Sequence, residues 1–305
     1  MINSCYICNS KNLSTVDTKI RRTNIDKDIK IKVMKCNNCT FQFLSNQAHV
    51  EDDFYEDSKM FNSERFINEP DNDYLKKFKA WSKSTKADND RRFNYLVNSI
   101  TNKSLLDYGC GAGEFLKRAH NLTSRAIGVE VDRDLYSYLS SALKTEGLSF
   151  ERDIQNLKDS QKFDIITCFH VLEHVKDPVS EIKKMKNYLS DTGEIIIEVP
   201  NVNDALLTFY NVKKFRDWYY WSCHLYYYNE RTLRMIAEKA GMNVDYIKQI
   251  QRFPLSNHLH WLNKKLPNGH KVYDCINSES LNSQYAKTLS SISACDTLLM
   301  RLSKK

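Results

Sequence analysis

The sequence predicts an α/β fold, an open and mostly parallel sheet with helices between its strands. Three observations predict it. Residues 105–116 run from a short apolar stretch into Asp107, place glycines at 109, 111 and 113, then open an amphipathic helix. That is a strand, a tight turn and a helix start, where a nucleotide-like cofactor can lie against bare backbone. Four more apolar runs follow at 125–130, 148–154, 163–169 and 193–200, separated by stretches suited to helices or loops. The chain also has 305 residues, enough to bury a sizeable core in one to two domains.

The amino-terminal part carries Cys5-x-x-Cys8 and Cys36-x-x-Cys39. Two such knuckles can bring four thiolates to the corners of a tetrahedron around Zn²⁺, a closed structural site with no open position. Strands at 14–20 and 29–34 would pair between them, making residues 1–45 a zinc ribbon whose metal supplies its folding energy. Redox pairing of the same thiols is the alternative. Residues 46–100 are polar with aromatics spaced through them, including Phe54, Tyr55, Phe61, Phe66, Tyr74, Phe78 and Trp81. Helical periodicity without proline over 76–100 makes this segment a helical linker or cap across the mouth of the cleft. Most of its aromatics read as packing; Tyr55 and Tyr74 are candidate contacts.

The remaining chain, 101–305, reads as the sheet domain. A dinucleotide fingerprint needs a third glycine where this chain has Glu114, and a carboxylate in the first helical turn repels a pyrophosphate. A ligand without phosphate is tolerated there. The second run ends in Glu130, beside Val131, placed to accept from ribose hydroxyls, although an acid here also suits a nicotinamide dinucleotide. The third carries Asp153 and Ile154. The fourth runs into Phe169-His170-Val171-Leu172-Glu173-His174-Val175 and then Asp177-Pro178. The fifth closes at Pro200.

Beyond it lies an aromatic cluster from Trp218 to Tyr228, then Asn229, which can cap a helix over 230–240 that Gly241 ends. Residues 244–251 read as the sixth strand and 296–302 as the seventh, antiparallel at the sheet edge. Between them, 253–295 is too long for a passive hairpin and reads as a helical insertion capping the cleft.

Bulk properties narrow the function classes. The first residues lack the basic start and apolar run of a signal peptide, and no apolar segment approaches the roughly 20 residues that span a bilayer. A cytoplasmic protein without a membrane span is expected, and its nine cysteines then suit reduced thiols or metal ligation. The net charge of +7 is scattered rather than clustered and carries little weight.

The spacing Asp107-x-Gly109-x-Gly111-x-Gly113 resembles motif I of class I S-adenosylmethionine-dependent methyltransferases, and FHVLEHV with Asp177-Pro178 strengthens the resemblance through Pro200. It implies a Rossmann-like, seven-stranded sheet in the order 3-2-1-4-5-7-6. It implies a cofactor site of Asp107, Gly109, Cys110, Gly111, Gly113, Glu130, Val131, Asp153, Ile154, Phe169 and His170. Asp153 would meet the adenine amino group, while Phe169 and His170 would pack beside the sulfonium and adenine. Cys110 is a small filler inside the turn.

The four-cysteine module, FHVLEHV and the run H-L-Y-Y-Y-N-x-x-T-L together resemble bacterial methyltransferases of sugar and surface-polysaccharide pathways, in part the deoxysugar C-methyltransferases. That resemblance implies His224 as a base near the sugar. The usual Glu before that histidine is Cys223 here, and the long additional carboxy-terminal domain of those enzymes is not found in this sequence. The expectation is therefore O-methylation of a sugar hydroxyl, the sugar presented on a nucleotide, lipid or glycan.

Sulfonium methyl transfer is an in-line displacement, and an alcohol acceptor gains from a base within hydrogen-bond reach. His224 is the first candidate and His174 the second. Tyr220, Trp221, His258 and His260 are candidate acceptor contacts, and Glu173 a brace for its loop. Ketosugar C-methylation and RNA base methylation are the competing activities. The absence of a dense Lys/Arg cluster and of an Asn-Pro-Pro-Tyr-type loop weighs against a nucleic acid partner. A non-catalytic S-adenosylmethionine-binding interaction protein is the third alternative.

Overall fold

In the computed structural model, which describes residues 2–22, 29–51, 53–56 and 74–305, with side chains of the last stretch from position 80, the apolar runs become strands of one central sheet. Phe61 and Phe66, and the side chains of Tyr74 and Phe78, lie outside the described residues. Helix α1 (Tyr74–Ile100) leads into β4 (Ser104–Tyr108), α2 (Glu114–Ala119), β5 (Arg125–Val129), α3 (Arg133–Ala142), β6 (Leu148–Glu151) and β7 (Phe163–Phe169). Helix α4 (Pro178–Asn187) and β8 (Leu189–Pro200) complete the parallel part. Strands β4, β5 and β7 are buried along nearly their whole lengths, which is why they read as continuous apolar runs.

The central sheet has the order β10-β11-β8-β7-β4-β5-β6, with β10 (Met242–Ile250) and β11 (Thr297–Lys304). This is the expected order. In the middle of the sheet, Asp107 pairs with Gly128 on one side and Thr167 on the other. As that order has it, the antiparallel seventh strand, β11, lies between β8 and β10, and it is the sixth strand that forms the edge. Inserted there, β11 is paired on both sides and exposes no ladder to solvent.

Local chemistry sets the helix starts. Asp132 accepts from the N–H groups of Asp134 and Leu135 to cap α3, and Asp177 accepts from Ser180 N–H to cap α4, with Pro178 in its first turn. After the short helix α5 (Lys213–Tyr219), Asn229 and Thr232 form a reciprocal capping box on α6 (Glu230–Lys239), and Gly241 at φ +76° ends it. Between β10 and β11 run three helices, α7 (Leu255–Lys264), α8 (Gly269–Val272) and α9 (Glu279–Ser291).

The second sheet is antiparallel, in the order β1-β2-β3-β9. Its strands β1 (Leu13–Asp17) and β2 (Val33–Cys36) differ in bounds from 14–20 and 29–34. The first stops early because the Asp17 side chain accepts from Lys19 N–H and turns the chain. Strand β3 (Gln42–Leu44) follows the second cysteine pair. Its outer partner is β9 (Tyr226–Tyr227), from the segment that joins β8 to β10 of the central sheet. Phe41 stacks on Tyr226 at 5.3 Å, and one continuous apolar cluster joins both sheets.

Candidate functional site

The turn after β4 is built of backbone that only glycine adopts freely. Gly109, Gly111 and Gly113 have φ of +74°, +54° and +68°. A Cβ on Gly111 would lie 2.4 Å from the Trp81 ring, so α1 presses directly on the bare turn. Two carboxylates close its other side. Asp107 accepts from the Thr167 hydroxyl at 2.7 Å, and Glu130 accepts from the N–H groups of Gly111 at 2.7 Å and Asp132 at 3.0 Å. Burial pushes Asp107 up to about 6 and Glu130 up to about 7.

The other expected cofactor residues fall in several settings. Val131 is 40% exposed beside Glu130, whereas Ile154 is buried and Asp153 accepts from Gln155 N–H to start the short turn that follows β6. Cys110 is buried, with its thiol held protonated by that burial. Phe169 meets Phe115 edge-on at 5.3 Å and carries the Arg92 guanidinium over its face at 4.5 Å. His170 has both ring nitrogens engaged, Nδ1 with Glu173 and Nε2 with Glu198, each at 3.2 Å. Burial opposes its charge, yet the Glu173 and Glu198 carboxylates hold it above the usual imidazole value.

Glu198 and its partners were not legible as a site. This acid in β8 is fully buried, bonded by Arg92 at 2.6 Å and by Arg91 at 2.8 Å. Burial works against its charge, but Arg92, His170 and Arg91 together keep it well below the usual carboxylate range. Arg252 adjoins the cluster, bonded to Asp88 and Asp296, with Nη1 3.2 Å from His170 Nε2. The one signal was Glu198 itself, an acid set between the apolar stretch 195–197 and Val199.

Beyond the ends of β7 and β8, His174 and His224 meet edge-on at 4.8 Å, with Trp221 at 5.1 Å from His224. His174 Nδ1 lies 2.9 Å from the Cys223 carbonyl and 3.0 Å from the Tyr55 hydroxyl, which itself donates to that carbonyl. Burial, reinforced for His224 by nearby His174, lowers both imidazoles below their ordinary value and keeps them neutral. Arg21 covers Trp221 at 4.3 Å. Tyr220 instead faces the ribbon: it is 3% exposed and donates to Gln42 Oε1. His258 bonds Tyr285 and Gln251, and His260 bonds the Pro267 carbonyl, so these two brace the insertion and its base rather than joining the pair. Of the candidate acceptor contacts, Trp221 alone packs directly on His224, while Tyr220, His258 and His260 bond elsewhere.

The four cysteines converge. Cys5 and Cys39 have sulfurs 3.4 Å apart, Cys8 and Cys36 3.5 Å, and all four lie within 4.8 Å of one another. That is too long for disulfides and close to the roughly 3.8 Å edge of a tetrahedron with 2.3 Å zinc–sulfur arms. Although burial raises it, the Cys36 thiol is lowered to about 7 by the amide N–H groups of Cys39 and Asn38, the reactive form a metal needs. The cluster is compatible with structural zinc.

Comparison with known proteins decides the class. A family model described as a methyltransferase domain matches residues 80–247, more than half of the chain. The chain belongs to the methyltransferase domain family. This methyltransferase is similar to the ubiquinone biosynthesis O-methyltransferase of Coxiella burnetii (strain Dugway 5J108-111), 31% identical over 121 residues, 38% of this chain and 52% of that protein. It is also similar to the enzyme of that name from Haemophilus ducreyi, 27% identical over 125 residues, 37% of this chain and 53% of that one. The chain thus spans about half the length of the relatives it matches.

Among solved structures, the magnesium protoporphyrin IX methyltransferase of Synechocystis PCC 6803 with bound SAH has a TM-score of 0.48 at 12% identity, covering 83% of this chain and 97% of that one. A SAM-dependent methyltransferase from Archaeoglobus fulgidus gives 0.47 at 18% identity, covering 77% and 100%. As a member of the methyltransferase domain family, the protein takes S-adenosylmethionine as its methyl donor. The glycine turn fits a phosphate-free ligand: Glu114 opens α2 where a pyrophosphate would sit, and its carboxylate is already bonded by Ser82 and Lys117. Among the described residues, no helix is long and apolar enough to cross a membrane.

Proposed function

We propose that this methyltransferase transfers its methyl group to a hydroxyl oxygen of a sugar carried on a nucleotide, lipid or glycan. The observation that carries the reading is the neutral His174–His224 pair beside Glu173, set against the aromatic wall of Trp221. A sulfonium methyl needs no activation, so the protein's task is to align donor and acceptor and to receive the hydroxyl proton. His224 takes it, and Glu173 supplies a counter-charge for the imidazolium that forms. The indole of Trp221 offers the flat, amphipathic surface on which a sugar ring settles.

A phenolic hydroxyl is the second reading, favoured by the printed name of the partial relatives, ubiquinone biosynthesis O-methyltransferases. Labelled donor offered in parallel to nucleotide-sugar pools, glycans, phenols and RNA tests both. Label on a sugar oxygen is the expected result; label on phenols alone selects the second reading. Label only in RNA or on a sugar carbon would overturn both. His224→Ala should abolish turnover while donor-product affinity, read by calorimetry, stays near that of the unaltered protein.

A further inference from the structure

We infer that Glu173, His174 and His224 form a second metal site, one that takes a divalent first-row transition cation with an open position facing the acceptor. One carboxylate oxygen of Glu173 and one ring nitrogen from each histidine lie within 4.8 Å of one another. Three arms of about 2.1 Å around one ion set their ends roughly 3.5 Å apart, so binding draws the three together by about 1 Å. Two imidazoles and a carboxylate are the donor set of borderline cations such as Zn²⁺ and Co²⁺.

Two independent observations point to a ligand here. Glu173 is 1% exposed, and its Oε2 is buried with no hydrogen-bond partner among the described residues, Oε1 being bonded to His170. A buried carboxylate oxygen left unpaired is costly, so Oε2 lacks a donor or cation of its own even though His170 holds Oε1. The second is the tautomer of His174. A carbonyl only accepts, so Nδ1 donates to Cys223, and the lone pair is left on Nε2. Nε2 sits 4.0 Å from Glu173 Oε1, so two acceptors face each other across a gap that an electropositive centre would fill. A ring N–H fixed on a backbone carbonyl is also the outer support that orients a metal-binding histidine.

This inference rests on the hydroxyl reading and changes how the proton leaves. The acceptor hydroxyl binds the open position, where the cation lowers its proton affinity, and the proton passes to solvent water. Its oxygen then forms the C–O bond as the C–S bond breaks, with the electron pair going to sulfur. His224 holds the cation rather than taking the proton.

The test is the Co²⁺ stoichiometry of the full chain, stripped of metal and reloaded by dialysis. Two equivalents are expected, one with thiolate-to-cobalt absorption from the cysteine cluster and one without it. Glu173→Gln and His224→Asn should each remove the second equivalent and leave the thiolate absorption, with donor-product binding by calorimetry confirming the fold. A single equivalent in the unaltered protein, or a second that survives both substitutions, would overturn the site. Two equivalents with no label on any hydroxyl would sink the hydroxyl reading and keep the site, whereas hydroxyl label with one equivalent would do the reverse.

Discussion

Glu130, just past the end of β5, accepts a 2.7 Å hydrogen bond from the Gly111 N–H and so ties one strand end to the turn of its neighbour. The turn is also held from above, because Trp81 fills the space that a side chain at Gly111 would need. Gly111→Ala therefore meets two obstacles, a contact of 2.4 Å and a φ of +54°. It should cost about 1–3 kcal/mol of stability and weaken donor binding. Adding Trp81→Ala relieves the contact but not the backbone strain, so recovery should be partial. Denaturant unfolding and calorimetry with the donor product measure both; full recovery would mean that the backbone conformation carries no cost.

Asp107 and Glu130 give the protein a pH signature. Burial raises them to about 6 and about 7, above the roughly 3.9 and 4.3 of unfolded carboxyls. With folded values raised, the stability from their protonated forms is present at low pH and lost as pH climbs through about 4 to 7. Histidines with lowered values, His174 and His258 among them, push the other way, so the signal is a difference between proteins. Asp107→Asn keeps an acceptor for the Thr167 hydroxyl and removes the charge. Relative to the unaltered protein it should gain on the order of 2 kcal/mol between pH 4 and 7. Parallel stability curves for the two would refute the assignment.

The strands of the central sheet were legible because their determinants are local: apolar runs of strand length, an acid at a strand end, glycines at alternate positions; their order was what the resemblance carried by those motifs implied. The convergence of distant residues was not. Glu198 reads as one polar break in a buried strand, and its partners Arg91 and Arg92 lie on a helix more than a hundred positions earlier. Spacing names His174 and His224 separately, but only the loop between β8 and β9 brings them into contact. Tyr226 and Tyr227 look like part of an aromatic cluster; their pairing with β3 depends on a ribbon folded from the other end of the chain.

The buried Glu198 cluster should be far more sensitive than a surface pair in the same strand. Glu198 is fully buried and the Arg92 side chain is 9% exposed, so Glu198→Gln leaves a guanidinium without its counter-charge. The expected loss is about 3–5 kcal/mol. Glu194 pairs with Arg301 at the far end of β8, where both side chains remain partly open to water, and Glu194→Gln should cost at most about 1 kcal/mol. Urea unfolding of the two variants makes the comparison, and equal losses would show that the buried network adds nothing.

Removing metal from the cysteine cluster should reach the acceptor side of the cleft without disturbing the donor side. Cys36 ends β2, β2 pairs with β3, and β3 pairs through Gln42 and Phe43 with Tyr227 and Tyr226. Leu44 N–H also donates to the Leu225 carbonyl, one residue past His224. With Cys36→Ser the knuckle loses a thiolate, β3 loses its anchor, and the loop carrying His224 loses the strand that fixes it. The glycine turn belongs to the central sheet and its bonds to Glu130 and Val129 are independent of the ribbon. The acceptor KM should therefore rise by about tenfold or more, the scale expected when an outer support is removed. Donor-product affinity should change little. Loss of donor binding with an unchanged acceptor KM would show that the ribbon supports the other half of the cleft.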